Sequence, residues 1–252
     1  MRRTIFVGDV HGCPHELETM LELLRFDTGD RLVFVGDVVA RGPDSIGVLD
    51  IIRRTGAVLV RGNHEERILR SRDGSDDLSR ADHPLGWQGS RGAAVNHTKP
   101  HKPLGRIHAE VVAKMRPIDW ALLEASPLYV DLPEHDVRVV HAGVVPGIPI
   151  EKQKKSTRLT IRTLDPRGEP LEKGGSVLWG ARYREAPHVV FGHYARVEPQ
   201  LHPWATGLDT GCVYGGSLTA LVLDEGEHVP LDIEERKKHL VAVPARREYH
   251  PV

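Results

Sequence analysis

The sequence predicts an α/β fold with parallel strands, and three observations support that prediction. Short apolar segments alternate with longer helical segments through the first third of the chain. A polar residue with a neighbouring glycine follows almost every predicted strand. The strand pattern is interrupted at residues 71–126 and then returns. Short strands separated by helices of about 10–15 residues are typical of parallel pairing through right-handed crossovers.

The first third contains three predicted strands and the start of three helices. Residues 4–7, 31–35 and 57–60 are short apolar segments, and each is bounded by turn residues. Residues 14–25 and 43–55 are predicted helices, and Pro14 occupies a first-turn position where proline is tolerated. A third helix is predicted to begin near His64.

Residues 71–126 follow a different pattern, being first polar and then rich in glycine, proline and histidine. We expect a mostly helical insertion at the edge of the sheet, with a helix at 117–125. Further strands are predicted at 128–130, 137–141, 189–192 and 218–223, and a basic helix at 152–162. Without repeats or a linker, residues 1–252 are interpreted as one domain, and no function is assigned to the tail after Leu231.

Composition excludes several classes of protein. The 252 residues carry a net charge of −1, so any anion-binding site must be a local cluster of cations. No signal peptide or membrane span is predicted, and Cys13 and Cys212 provide no disulfide framework. We therefore expect a cytoplasmic protein without a membrane partner. Neither cysteine begins a Cys-x5-Arg loop, which excludes the cysteine-nucleophile phosphatases.

Polar side chains follow five of the predicted strands. Because the carboxyl ends of parallel strands share one edge of a sheet, these side chains can converge there. Each has glycine close by, which allows a sharp turn and leaves room for a ligand. The candidates are Asp9, His11, Asp37, Asn63, His141 and His193.

These candidates form a nitrogen and oxygen ligand set without thiolates. Such a set suits manganese, iron, cobalt or zinc, and six ligands are enough for two ions sharing a carboxylate. Two such ions would clamp a phosphate and lower the pKa of a bound water. Taken singly, each residue has another interpretation as a turn residue, a helix cap or a buried histidine. The coincidence at five strand ends favours the metal site.

The five motifs together resemble the phosphoprotein phosphatase family of calcineurin-like metallophosphoesterases. They are GD-x-HG at 8–12, GD-x-x-x-RG-P at 36–43, GNHE at 62–65, HAG at 141–143 and GH at 192–193. The resemblance implies an αββα sandwich in which Asp37 bridges two ions. Asp9 and His11 would complete one site, and the other would be completed by Asn63, His141 and His193. It also implies that His64 is a general acid and that Arg41 binds phosphate.

The sequence departs from the protein-phosphatase pattern at Ala40. Those enzymes have an aspartate there that orients the catalytic histidine. Alanine at this position resembles the symmetrical diadenosine tetraphosphatases and their ApaH-like relatives. The segment GLDTGCVYGGSLTAL resembles that branch and the polynucleotide-end phosphatases. Asp209 within it is our candidate for orienting His64, with a strand-end turn residue as the alternative.

Basic residues provide candidates for a polyphosphate site. Lys154, Arg158 and Arg162 follow the HAG motif, and we expect them to contact distal phosphates, although a solvated helix face is the alternative. Arg182 is expected as a second phosphate-binding arginine. Trp87, His97 or Tyr183 could stack on a base, but packing roles are the stronger interpretation.

These features predict a dinuclear metal-dependent phosphohydrolase of nucleoside polyphosphates, with dinucleoside tetraphosphates as the first expectation. Manganese is the first expectation for both divalent ions. The alternatives are a serine/threonine protein phosphatase acting on a phosphoprotein, a phosphatase of capped RNA or polynucleotide ends, and a binding module without activity. The intact ligand set argues against the last of these. The sequence gives no indication of the oligomeric state.

Overall fold

The structure, a computed structural model, describes residues 2–73 and 104–251. Its strands, in chain order, are β1 (Arg3–Val7), β2 (Arg31–Phe34), β3 (Val58–Leu59), β4 (Tyr129–Leu132), β5 (Val137–Val140), β6 (Thr163–Leu164), β7 (Pro170–Leu171), β8 (Val177–Leu178), β9 (His188–Phe191), β10 (Gln200–His202), β11 (Ala205–Gly207), β12 (Asp209–Thr210), β13 (Ser217–Asp224) and β14 (Leu240–Pro244). Its helices are α1 (Pro14–Leu23), α2 (Ser45–Thr55), α3 (Asn63–Asp73), α4 (Arg106–Val112), α5 (Pro117–Ala125), α6 (Lys155–Thr160) and α7 (Ile233–Lys237).

The first sheet has the strand order β12-β13-β1-β2-β3, and β14 also pairs with β13. Strands β1, β2 and β3 are parallel, as the sequence predicts, with Val7 opposite Phe34. Strand β13 is antiparallel to β1, so the sheet is mixed. This pairing joins the carboxyl-terminal part of the chain to its first strand.

The second sheet has the strand order β10-β11-β9-β5-β4. Strands β5, β9 and β11 are parallel to one another, and β4 is antiparallel to β5. The expectation that all the polar strand ends lie at the edge of one sheet is therefore wrong. They lie at the facing edges of two sheets. A third, small sheet has the strand order β7-β6-β8.

Alternation of apolar side chains along β1 explains the layered packing. Ile5 and Val7 belong to the apolar cluster formed with α1 and α2. Phe6 points to the opposite face and packs with Val139 and Val190 of the second sheet. Period-two alternation places successive side chains on opposite faces, so one strand contributes to two cores. The resulting α/β architecture has two central sheets, with α1 and α2 packed on the outer face of the first, and it agrees with the predicted α/β sandwich.

Local signals in the sequence set the helix ends. Pro14 begins α1, and the Asp44 carboxylate caps α2 by accepting a hydrogen bond from the Gly47 amide at 2.9 Å. Gly56 ends α2 in the left-handed region, with φ of 63°. The basic segment at 152–162 is a 3₁₀ turn, Ile150–Lys152, followed by the short helix α6.

The predicted insertion is helical in its described parts, which are the end of α3 and helices α4 and α5. Trp87 and His97 lie outside the described residues. The tail after Leu231 forms α7 and the edge strand β14. In residues 2–73 and 104–251, no helix combines the length and apolarity needed to cross a bilayer.

Candidate active site

The six predicted ligand residues lie together at the facing strand ends of the two sheets. Asp9 and His11 follow β1, and Asp37 follows β2. The remaining residues complete the group from α3 and the second sheet: Asn63 begins α3, His141 follows β5 and His193 follows β9. The ligand set therefore spans both sheets.

Close backbone approach explains two of the adjacent glycines. A Cβ atom on Gly192 would lie 1.9 Å from Asp9 Oδ1, and one on Gly62 would lie 2.3 Å from Asp37 Oδ1. His11, Asp37 and His193 have positive φ values of 46°, 49° and 69°. Non-glycine residues rarely adopt this region, and such strained positions concentrate at functional sites.

Asp37 occupies the centre of the site. Its Oδ2 lies 3.8 Å from His11 Nε2 and 3.4 Å from His141 Nε2, while Oδ1 accepts a hydrogen bond from the His64 amide at 2.9 Å. Asn63 Oδ1 lies 3.0 Å from His141 Nε2 and 2.8 Å from His193 Nδ1. Two ligand atoms that each lie about 2.1 Å from one ion, at right angles to each other, are about 3 Å apart. The separations between these side-chain atoms therefore fit pairs of ligands on the same ion.

Hydrogen bonds from the far side of two imidazole rings favour metal binding. His11 Nδ1 contacts the Val39 carbonyl oxygen at 3.2 Å, and His141 Nδ1 contacts that of Val35 at 3.1 Å. A carbonyl oxygen can only accept, so each Nδ1 carries the proton and each Nε2 keeps its lone pair. This second contact fixes the tautomer that binds a metal ion.

Electrostatics also favour cations here. Asp9 is buried, and its pKa is raised well above the usual value by burial, with further contributions from Asp209 and Asp37. Buried carboxylates that lie close together require compensating positive charge. Polar atoms of His11, Asp37 and His64 lie within 4.8 Å of one another, as do those of Asp37, His141 and His193. The residues present therefore fit two divalent ions with Asp37 between them.

His64 lies at the start of α3 beside this cluster, and its side chain is buried. Its Nδ1 is 3.0 Å from His108 Nε2 of helix α4. Asp209, the residue expected to orient His64, instead accepts a hydrogen bond from the Gly211 amide at 3.0 Å through Oδ1. Helix α4 places the His108 imidazole against His64. The sequence analysis missed His108, since a single histidine in a short helix carries no motif.

Comparison with known proteins identifies the family. Residues 2–197 match the family described as calcineurin-like phosphoesterase. This chain belongs to that family. A phosphoesterase of this family is a metal-dependent phosphohydrolase, and membership implies a dinuclear site for divalent ions.

Several named relatives and one solved structure resemble this phosphoesterase along most of its length. A bis(5'-nucleosyl)-tetraphosphatase PrpE [asymmetrical] from Anoxybacillus flavithermus is 31% identical over 238 residues, covering 88% of this chain and 91% of the relative. The same-named protein from Oceanobacillus iheyensis is 29% identical, with coverage of 88% and 89%. A crystal structure of a candidate diadenosine tetraphosphatase superposes with a TM-score of 0.73 at 31% identity, covering 96% of this chain and 93% of that one.

Glu65 organises the loops of the phosphoesterase site and was not singled out from the sequence. Its side chain is fully buried. One carboxylate oxygen accepts hydrogen bonds from the amides of Asp37 and Gly62, both at 2.8 Å. The other accepts from Val38 and Val39 at 2.9 and 3.2 Å. A single carboxylate thus joins the loop after β2 to the start of α3.

A cleft of about 1600 Å³ opens from the phosphoesterase site, and Asp37, Asn63, His193 and Asp209 form part of its wall. Cations are distributed along the wall at positions 41, 67, 70, 162 and 196, all of them arginines. The Arg162 guanidinium lies over the Tyr194 ring at 4.7 Å, and Arg41 lies over Tyr214 at 5.5 Å. Arg41 and Arg162 therefore occupy positions that can meet a bound anion.

The other predicted phosphate contacts lie elsewhere. Arg182 and Lys154 are exposed, and neither lines the cleft. Arg158 lies over the Tyr129 ring at 5.9 Å, also away from the cleft lining. Tyr183 is buried in the apolar cluster around the second sheet, which supports its packing interpretation. The cleft arginines at 67, 70 and 196 belong to segments whose sequence carries no phosphate-binding motif.

Proposed function

We propose that this phosphoesterase hydrolyses dinucleoside tetraphosphates with two divalent ions, manganese being the expected metal. The relatives at 29–31% identity are named bis(5'-nucleosyl)-tetraphosphatase, which supports the substrate class. Their names also carry the word asymmetrical, so we propose cleavage into a nucleoside triphosphate and a nucleoside monophosphate. This differs from the symmetrical branch that the Ala40 motif resembles.

The observation that carries the proposal is the arginine-lined cleft beside the ligand cluster. Small-molecule sites usually occupy about 300–1000 Å³, and the cleft is larger than a simple phosphate monoester requires. A chain of phosphates carries several negative charges that the near-neutral protein must balance locally. Arginine offers planar pairs of donors that match phosphate oxygens. The cleft therefore suits a long polyphosphate.

The residues would divide the chemistry as follows. Asp9, His11 and Asp37 would hold one ion, and Asp37, Asn63, His141 and His193 would hold the other. When bound, such ions polarise the phosphate and activate a water molecule. His64 would donate a proton to the departing oxygen from the nitrogen that faces the site.

Arg41 would bind phosphate only after the ions are in place. Its Nη1 donates to His11 Nε2 at 2.8 Å. An imidazole nitrogen has one lone pair, so His11 Nε2 cannot accept this hydrogen bond and bind a cation together. Binding of the ion would therefore release the Arg41 guanidinium to meet phosphate oxygens.

A hydrolysis panel with resolved products tests the substrate. The panel contains diadenosine tetraphosphate, triphosphate-capped RNA, a phosphopeptide and tripolyphosphate, each with Mn²⁺. We expect the highest kcat/KM on diadenosine tetraphosphate, with ATP and AMP as products. Two ADP molecules would establish symmetrical cleavage. A preference for the phosphopeptide or the capped RNA would overturn the proposed substrate class.

Arginine variants test the proposed path of the distal phosphates. Arg162→Gln and Arg196→Gln should each raise KM for the tetraphosphate and leave a small monoester nearly unchanged, since only the long substrate reaches them. Arg54→Gln is the matched control, because Arg54 is exposed on α2 and pairs with Glu18. If KM for the tetraphosphate rose in Arg158→Gln and stayed unchanged in Arg196→Gln, the result would favour the phosphate contacts expected from the sequence.

A further inference from the structure

His64 has a histidine partner that no motif in the sequence indicates. His108 Nε2 lies 3.0 Å from His64 Nδ1. The two rings are stacked, with centroids 4.8 Å apart and planes inclined by 25°. Both side chains are 4% exposed, so water competes little for this contact. A buried hydrogen bond between stacked rings restrains both the position and the rotation of the His64 imidazole.

Packing of the insertion against the core explains why His108 reaches this place. Helix α4 begins after Gly105 and packs against α3, the helix that carries His64 near its first residue. Val111, three residues after His108, belongs to the main apolar cluster. Residues three apart share one face of a helix, so the burial of Val111 turns His108 inward. The insertion thus contributes a side chain to the active site.

The position where protein phosphatases carry an orienting aspartate offers no carboxylate in this chain. Ala40 is fully buried, and its amide donates to Ser45 Oγ at 2.9 Å. Asp209 is held by the Gly211 amide. Among the described residues, the side chain that hydrogen-bonds to the His64 ring is that of His108.

We propose that His108 is the positioning residue of the general acid His64, and that the insertion supplies it in place of the carboxylate replaced by Ala40. This inference rests on the proposed function, because it assigns His108 its role through the proton transfer by His64. His108 itself need not touch the substrate.

The chemistry requires contact at Nδ1 and leaves Nε2 for the substrate. The acid form of His64 is the doubly protonated ring, in which Nδ1–H donates to His108 Nε2 and Nε2–H faces the substrate. The proton passes from His64 Nε2 to the leaving oxygen as the bond between phosphorus and that oxygen breaks. His64 is then neutral and keeps its other proton on Nδ1, in the hydrogen bond to His108. No proton leaves His108, which distinguishes positioning from a relay.

Two variants separate the hydrogen bond from the packing. His108→Phe keeps a flat ring for the stack and removes the hydrogen bond. His108→Gln places an amide near the position of Nε2 and can keep the hydrogen bond. Both are compared with wild type and His64→Ala, using phenyl phosphate and 4-nitrophenyl phosphate with Mn²⁺. The nitrophenolate departs readily without a proton, so loss of general acid assistance should affect phenyl phosphate more.

We expect His108→Phe to lower kcat on phenyl phosphate by at least about tenfold, with a smaller loss on 4-nitrophenyl phosphate. His108→Gln should recover most of that loss. The double variant His64→Ala/His108→Phe should be no slower than His64→Ala, since the two residues act as one unit. Circular dichroism and metal content should match wild type for each variant.

The other outcomes are distinguishable. An equal loss on both substrates for His108→Phe, or additive losses in the double variant, overturns the positioning role while the proposed function stands. An equal loss on both substrates for His64→Ala overturns the general acid role and the inference with it. If the monoesters behave as expected but diadenosine tetraphosphate is not hydrolysed, the proposed substrate fails and the positioning role is supported. If His108→Phe does not fold, His108→Gln decides, because a loss on phenyl phosphate as severe as that of His64→Ala would overturn the inference.

Discussion

Replacement of Glu65 by glutamine should weaken both the fold and the metal site. The carboxylate accepts four backbone hydrogen bonds, two on each oxygen, from the loop after β2 and the residue before α3. Glutamine has the same shape, but one of its terminal atoms is an NH₂ donor. Whichever way the amide is turned, two of the four backbone N–H groups would face a donor.

The size of the effect follows from this count. Each buried donor left without a partner costs about 1–3 kcal/mol, so two predict a loss of about 2–6 kcal/mol in the free energy of unfolding. In one orientation the affected amides are those of Gly62, which precedes the predicted ligand Asn63, and of Asp37; in the other they are those of Val38 and Val39, which follow the predicted ligand Asp37. Displacement of these two ligands should lower metal affinity as well, as is typical when outer contacts of a metal site are lost.

Urea unfolding followed by circular dichroism measures the stability, and titration calorimetry with Mn²⁺ measures the metal affinity. Glu66→Gln is the matched control, because Glu66 is also buried but pairs with Arg61, Arg70 and Lys155 rather than with the ligand loops. We expect that control to lose stability and keep its metal affinity. The reasoning would be refuted if the free energy of unfolding of Glu65→Gln lay within about 0.5 kcal/mol of the wild-type value. Equal metal affinities for the two variants would refute it as well.

Three further predictions follow from particular residues. Asp37→Ala should retain neither ion on metal analysis. Mn²⁺ at 100 times its Kd should raise the free energy of unfolding of wild type by about 2.7 kcal/mol and leave that of this variant unchanged. One ion per chain in fully active wild type would contradict the shared carboxylate. Burial, together with the charge of Arg236, lowers the pKa of His188 from 6.5 to about 3. The unfolded chain therefore binds a proton at this residue more readily than the folded protein, and stability is lost as the pH falls below 6.5. Between pH 7.5 and 5, urea unfolding should show wild type losing about 2 kcal/mol more than His188→Gln. Equal losses would show that His188 titrates normally. Cys13 and Cys212 are buried, so a thiol reagent should label neither in the native protein and both in urea; rapid native labelling would contradict their burial.

Features encoded within a few neighbouring residues could be predicted from the sequence. The strand ends of the first sheet combine an apolar segment, a glycine and a polar residue within about ten positions, and β1, β2 and β3 lie where expected. Asp9, Asp37 and Asn63 could be found because such local patterns survive in any tertiary context. The boundaries differ mainly at helix ends, where α2 begins at Ser45 after the Asp44 cap rather than at residue 43.

Features that depend on distant partners could not be predicted. His108 meets His64 across 44 positions of sequence, and only the packing of α4 on α3 brings them together. Arg196 is a surface arginine in the sequence and becomes part of the cleft through the folding of the loop after β9. The antiparallel pairing of β13 with β1 likewise depends on contacts between the two ends of the chain. Periodicity within a segment carries no information about such pairings.

Division of the predicted ligands between two sheets would make the metal site part of the fold itself. The His193 amide, from the second sheet, donates to both oxygens of Asp9 at 3.2 and 3.1 Å, and His141 Nδ1 contacts the Val35 carbonyl of the first sheet. These bonds hold the sheets at the spacing set by apolar packing around Phe6. Ions bound between Asp37 and His141 would add to the same connection, because they bind the folded arrangement and not the unfolded chain. Substitutions between the sheets should therefore change metal affinity without touching a ligand.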